Sequence, residues 1–257
     1  MPEITEYKPG NPIWIDLGTS DLAGAVTFYT TLFGWNAEDM GPDFGHYTMM
    51  SVRGKYVCAV SPLMGPEQPV AWSTYLCTTD TDETVKKVKA AGGSVIAEPM
   101  EVSTSGKLAA FLDPTGAAIL TWEPRDHPGA QLANEPNTWS WSELWTRDVD
   151  KAKAFYAAAF GLGTEAFGDT YTIWTVDGRG VGGVITMPSD VPAEVPAHWV
   201  TYFSVDDCDA AAKKVGELGG KTLTPPMDIP TVGRFAIVAD GQGAAFAIFK
   251  PEPQAAS

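Results

Sequence analysis

Two acidic residues stand in matching settings. Asp16 lies within Trp14-Ile-Asp-Leu-Gly18, and Glu143 within Trp141-Ser-Glu-Leu-Trp145. In aromatic, poorly solvated surroundings a carboxyl keeps its proton to higher pH, which suits a general acid or base. The structural alternative is a carboxylate bonded to a neighbouring strand or indole. Tyr75 and Tyr202 each offer a phenolic proton to a ligand, or are core aromatics with one wet end. Cys77 has no His or Lys nearby and reads as a buried inert thiol. His46, His127 and His198 are far apart in sequence, and lone histidines are more often structural than ligating.

These residues sit on repeated elements. Trp14, Asp16 and Gly18 alternate with Ile15, Leu17 and Thr19, the period of a strand with two unlike faces. Ser20 and Asp21 can cap the helix that follows. Ala25, Phe28, Tyr29, Leu32 and Phe33 make its apolar stripe, and Gly34 is its stop. The stretch returns as Trp141 to Gly161, with 141 − 14 and 156 − 29 both equal to 127. The chain is therefore a tandem repeat.

Each repeat reads as two βαβββ modules. In the first repeat, strands are expected at Asn36–Met40, His46–Arg53 and Tyr56–Leu63, with Arg53-Gly54-Lys55 as a hairpin turn. The next module has a strand at Ala71–Thr78 and a helix at Thr81–Ala91, then strands near Ser94–Ala97, Leu108–Leu112 and Ala117–Trp122. The predicted domains are residues 10–124 (modules 10–64 and 70–124) and 138–251 (modules 138–187 and 196–251). Residues 125–137, rich in Pro, Asn, Gly and charge, read as the linker, and the proline-rich loop Met187–Ala197 as a connector. The fold class is α+β: sheets that curl into a cup, one per domain, with helices outside.

Parity then sorts the side chains. Trp14, Asp16, Tyr75, Cys77, Leu120 and Trp122 should face the first cup. Trp141, Glu143, Trp145, Tyr202 and Phe249 should face the second, with Trp174 at the position of Met50. Each cup is aromatic with one carboxylate, a lining suited to a flat or ring-bearing molecule. Trp14 and Trp141 are pocket walls or packing between modules. Gly18 against Trp145, Met50 against Trp174, Cys77 against Ser204 and Leu120 against Ala247 mean that the cups differ in shape.

Bulk properties narrow the partners. The 257 residues carry a net charge of −15 and are 44% hydrophobic. Such a chain supports real cores and repels phosphate backbones and anionic lipid, so neither nucleic acid nor membrane is an expected partner. No apolar run is long enough to cross a bilayer, and Met1 to Asn11 has no signal pattern. Cys58, Cys77 and Cys208 read as free thiols of a cytoplasmic protein.

The pattern resembles the vicinal oxygen chelate superfamily, which includes glyoxalase I, bleomycin-resistance proteins and extradiol dioxygenases. The resemblance rests on Asp21-Leu-Ala-Gly-Ala-Val-Thr-Phe-Tyr29 with Phe33-Gly34-Trp35, on Val205-Asp-Asp-Cys-Asp209 before a helix ending in Gly219-Gly220, and on Asp113-Pro-Thr-Gly116. It looks closest to tandem glyoxalase-like proteins of actinobacterial type. The resemblance implies a divalent metal held by His, Gln or Glu in the cup. Here the matching positions are Trp14, Ser73 and Leu120, and Trp141, Val200 and Ala247, none of them a suitable ligand. The expectation is therefore a protein without metal or other cofactor that binds a hydrophobic or aromatic small molecule, natural-product relatives among them. It would sequester the molecule or act on it with Asp16 or Glu143. The alternatives are a metal-dependent glyoxalase-type lyase or isomerase, or a dioxygenase or hydroxylase, with displaced ligands such as Asp16, His46, Glu143 or His198. A regulatory scaffold is a third. Paired modules within one chain fit a monomer or a homodimer.

Overall fold

Asp21 accepts from the Gly24 amide and caps a helix over Leu22–Phe33, which ends at Gly34 with φ of 72°. Asp80, Asp148 and Asp207 cap three further α-helices in the same way. The computed structural model describes residues 3–189 and 191–252. The expected connector Met187–Ala197 is described there apart from position 190.

The first repeat runs β1 (Pro12–Thr19), α1 (Leu22–Phe33), β2 (Asn36–Asp39), β3 (Thr48–Val52), β4 (Lys55–Pro62), β5 (Ala71–Cys77), α2 (Thr81–Ala90), β6 (Ser94–Val102), β7 (Gly106–Leu112) and β8 (Ala118–Pro124). The second runs β9 (Trp139–Thr146), α3 (Val149–Phe160), β10 (Gly163–Phe167), β11 (Tyr171–Val176), β12 (Arg179–Thr186), β13 (His198–Ser204), α4 (Cys208–Glu217), β14 (Lys221–Ile229), β15 (Gly233–Ala239) and β16 (Ala245–Pro251). The strand expected at Ser94–Ala97 runs on to Val102. It lies at the sheet edge, where Pro99 removes no ladder bond that the fold needs.

Each repeat builds one eight-stranded mixed sheet, ordered β2-β3-β4-β1-β5-β8-β7-β6 and β10-β11-β12-β9-β13-β16-β15-β14. The two halves of a sheet join where β1 meets β5 antiparallel, and β9 meets β13. The fold is α+β, with two curled sheets and helices on the outer, convex side.

Those helices form one layer shared by the repeats. Phe28, Tyr29 and Phe33 of α1 pack with Phe203 and Phe246 of the second sheet. Phe155 and Tyr156 of α3 lie in one core with Leu76, Val85, Val88, Phe111 and Ile119 of the first repeat. Two reciprocal bonds cross this layer. Tyr29 donates to Asp240 Oδ2 at 3.1 Å, and Tyr156 to Asp113 Oδ2 at 3.1 Å. Each tyrosine in turn accepts from an indole, Trp72 or Trp199.

The segment between the sheets connects the repeats, but it does not hang free. Ala130 and Gln131 donate backbone bonds to Ile13 and Tyr56, and Tyr7 donates its hydroxyl to the Ala130 carbonyl at 2.6 Å. Cys58, Cys77 and Cys208 are buried and unpaired. Among the described residues no helix is long and apolar enough to cross a membrane.

Candidate functional site in the two cups

Strand pairing places the first carboxylate. Trp14 of β1 faces Tyr75 of β5, and Tyr75 faces Leu120 of β8, so the three share a side with Asp16. Tyr75 donates to Asp16 Oδ2 at 2.6 Å and Tyr47 donates to the same oxygen at 3.1 Å. The Trp14 indole donates to the Tyr47 hydroxyl at 2.8 Å. Burial raises the Asp16 carboxyl above the usual range, and hydrogen bonds from Tyr75, Tyr47 and Ser73 pull against it.

The second cup repeats the plan with a longer acid. Glu143 Oε1 accepts from Tyr202 at 2.8 Å and from the Trp145 indole at 2.6 Å. Tyr171 also bonds Glu143, and accepts from the Trp141 indole at 2.8 Å. Burial again raises the carboxyl, against bonds from Tyr171, Trp145 and Tyr202. Each cup thus holds a buried acid bridged to two phenols, whose own protons burial makes harder to remove. Such a group can give or take one proton beside a bound molecule while its partners keep it oriented.

The copies exchange a methyl for a methylene. Asp16 pairs across the sheet with Ala59, and the longer Glu143 with Gly183. A Cβ on Gly183 would stand 1.9 Å from the Tyr171 hydroxyl. Gly183→Ala is therefore expected to push Tyr171 off Glu143 and cost about 1–3 kcal/mol. Urea unfolding checks this, and an unchanged midpoint would contradict the packing.

Sequence parity brings together Trp14, Asp16, Tyr75, Cys77, Leu120 and Trp122, and likewise Trp141, Glu143, Trp145, Tyr202 and Phe249. It misplaces Trp174. That side chain packs on Tyr156 of α3, with ring centroids 5.3 Å apart, on the helix side of the sheet. Trp174 pairs with Gly182, next to the Gly183 that pairs with Glu143, so it falls on the face opposite that acid. Tyr47 and Tyr171 are the acid partners that parity misses. Their signal was present as the aligned Tyr-Thr openings of two matching strands. Cys77 is buried beside the Tyr7 carbonyl, and burial pushes its thiol up to about 11, so it is no nucleophile near neutrality.

The chain matches the Glyoxalase/Bleomycin resistance protein/Dioxygenase superfamily over residues 12–120 and 139–248. It belongs to that superfamily. It is 41% identical to the protein named "Putative glyoxylase CFP32" of Mycobacterium tuberculosis, over 99% of this chain and 100% of that one. It is 38% identical to "Anthracycline biosynthesis protein DauV" of Streptomyces sp., over 95% of this chain and 94% of the other. Among solved structures, the Mn(II)-bound glyoxalase from Novosphingobium aromaticivorans shares the fold with a TM-score of 0.66 at 17% identity, over 95% of this chain and 83% of that one. The 2,3-dioxygenase LapB from Pseudomonas sp. KL28 does so with a TM-score of 0.66 at 11% identity, over 97% of each.

Superfamily members bind small-molecule substrates, and some of them hold a divalent metal, so the cups must be tested as metal sites. The polar groups that converge in each are one carboxyl, two phenols and indole N–H groups. Phenols and indoles that donate to the acid leave it no imidazole or second carboxylate to complete a coordination shell. His46 turns its Nδ1 to Asp39 at 2.8 Å on the exposed rim. His198 lies on the Glu143 face but turns its Nδ1 to the Pro196 carbonyl at 2.8 Å, and the Trp145 ring stands beside it. Among the described residues no group of three or more His, Cys, Asp or Glu side chains is placed to share a metal ion. The residues present do not fit the superfamily's metal.

Proposed function

We propose that this chain binds a hydrophobic or aromatic small molecule in its aromatic cups without the superfamily metal, and sequesters it or transforms it by proton transfer. The observation that carries this reading is the acid bridged by two phenols, Asp16 with Tyr47 and Tyr75, and Glu143 with Tyr171 and Tyr202. It stands among indoles in a place where metal ligands would converge. Indole and phenyl walls favour a flat ring system through area and edge contacts. The 38% identical relative is named for anthracycline biosynthesis, and anthracyclines are planar polycyclic aromatics, so that ligand class suits these walls. The charge of −15 favours a neutral or cationic compound over an anion.

The test joins elemental analysis of the purified chain to a tryptophan-fluorescence titration with planar aromatic compounds, before and after chelation. The expected result is ligand-dependent quenching that chelation leaves unchanged. A stoichiometric divalent metal whose removal abolishes binding or turnover would replace this reading with a glyoxalase-type lyase or a dioxygenase.

A further inference from the structure

The two cups differ in what already sits in them. After β8 the chain turns back over the first cup. The backbone N–H groups of Arg125 and His127 donate to the Ser105 carbonyl at 3.1 and 3.0 Å, and the Trp122 indole donates to the His127 carbonyl at 2.9 Å. This places the His127 ring against two cup walls. It meets Trp14 edge-on, with centroids 4.4 Å apart and planes at 89°, and it lies 5.5 Å from Trp122. Burial pushes the imidazole down to about 4, so near neutrality it is an uncharged flat ring, and its buried Nε2 has no partner. Trp14 and Trp122 are only 3% and 5% exposed.

The repeat offset finds the same place in the second cup. Adding 127 to 14 and to 122 gives Trp141 and Phe249. Both are half-buried, as are Trp145 and Phe235 around them. Two further exchanges widen this end: Phe249 is smaller than Trp122, and Ala247 is smaller than Leu120. The residue equivalent to His127 is Gln254, which lies outside the described residues.

We infer that His127 is a resident occupant of the first cup, and that the chain therefore takes one flat ring per molecule, in the second cup between Trp141 and Phe249. This rests on the aromatic-binding reading and adds the cup, the position and the stoichiometry. Trp141, one wall of that position, donates its indole N–H to Tyr171, which in turn bonds Glu143. A ring against Trp141 is thereby linked through Tyr171 to the acid of the second cup, whereas the matching walls of the first cup, Trp14 and Trp122, already hold His127.

The test is calorimetric and fluorescence titration of the full chain with quinizarin, a neutral tricyclic quinone, after circular dichroism confirms that each variant is folded. Wild type is expected to bind one equivalent. Phe249→Leu, a substitution chosen to preserve the fold, should weaken binding about tenfold. His127→Ala should open the first cup and raise the stoichiometry to two. Binding that Phe249→Leu leaves unchanged would overturn the inference and leave the aromatic-binding reading standing. A stoichiometry of one in His127→Ala would likewise remove His127 as the occupant. Failure of quinizarin to bind either wild type or His127→Ala would sink both.

Discussion

Replacing Asp240 with alanine is expected to destabilise the whole chain by about 3 kcal/mol, far more than a surface substitution. Asp240 is 3% exposed and belongs to a tight turn in the second repeat. Its Oδ1 accepts from the Gln242 and Ala244 amides at 2.9 Å each, and its Oδ2 from Tyr29 of the first repeat. Alanine would strand the buried Ala244 amide and Tyr29 hydroxyl and leave the half-buried Gln242 amide without this partner. Tyr29→Phe removes only one of them and is expected to cost about 1 kcal/mol. Asp113→Ala should resemble Asp240→Ala, because Asp113 accepts from Thr115, Ala117 and Tyr156 in the mirrored arrangement. Urea unfolding followed by tryptophan emission and by circular dichroism should show one coincident transition in each variant. Loss of the second repeat alone, with the first still folded, would contradict a shared helix layer.

The contrast between the repeats explains what the chain reveals before it is folded. Local signals were strong wherever a single segment decides its own conformation. Asp21 and Gly34 bracket α1, and Arg53 and Gly54, with φ of 52° and 73°, turn the β3–β4 hairpin. The constant offset of 127 then carried those elements into the second repeat, and strand parity put Asp16 with Tyr75 and Glu143 with Tyr202. What stayed hidden depends on partners remote in sequence. Tyr47 reaches Asp16 from just before β3, and its face follows from the register of β3 on β4, where Met49 pairs with Ala59, the partner of Asp16; alternation within one strand cannot supply that register. The segment after β8 has the composition of a flexible linker. Its order comes from Ile13, Tyr56 and Ser105, which local composition cannot disclose. For the same reason His127 read as a linker histidine and not as part of a cup.

Glu143→Gln keeps the side-chain shape and removes the titration. The folded state raises the Glu143 carboxyl, so over the window above the usual carboxylate range the folded chain binds more protons than the unfolded one. The contribution of this carboxyl to stability is therefore fully present at low pH and is lost as pH rises through its folded value. Glu143→Gln should flatten that fall, and Asp16→Asn should do the same, because burial raises Asp16 too. Urea midpoints between about pH 4 and pH 8 read this without any ligand. An unaltered slope in both variants would mean that neither carboxyl is perturbed. Function should divide them. Only Glu143 stands in the cup whose walls are half-buried, so any conversion of a bound compound should drop roughly 100- to 10,000-fold in Glu143→Gln, the usual span for a proton-transfer group. Quinizarin affinity should hold in the same variant, because the Trp141 and Phe249 walls are untouched. Asp16→Asn should leave conversion intact, because the His127 ring already stands against the Trp14 and Trp122 walls of the first cup. Conversion that survives Glu143→Gln and fails in Asp16→Asn would move the chemistry to the first cup.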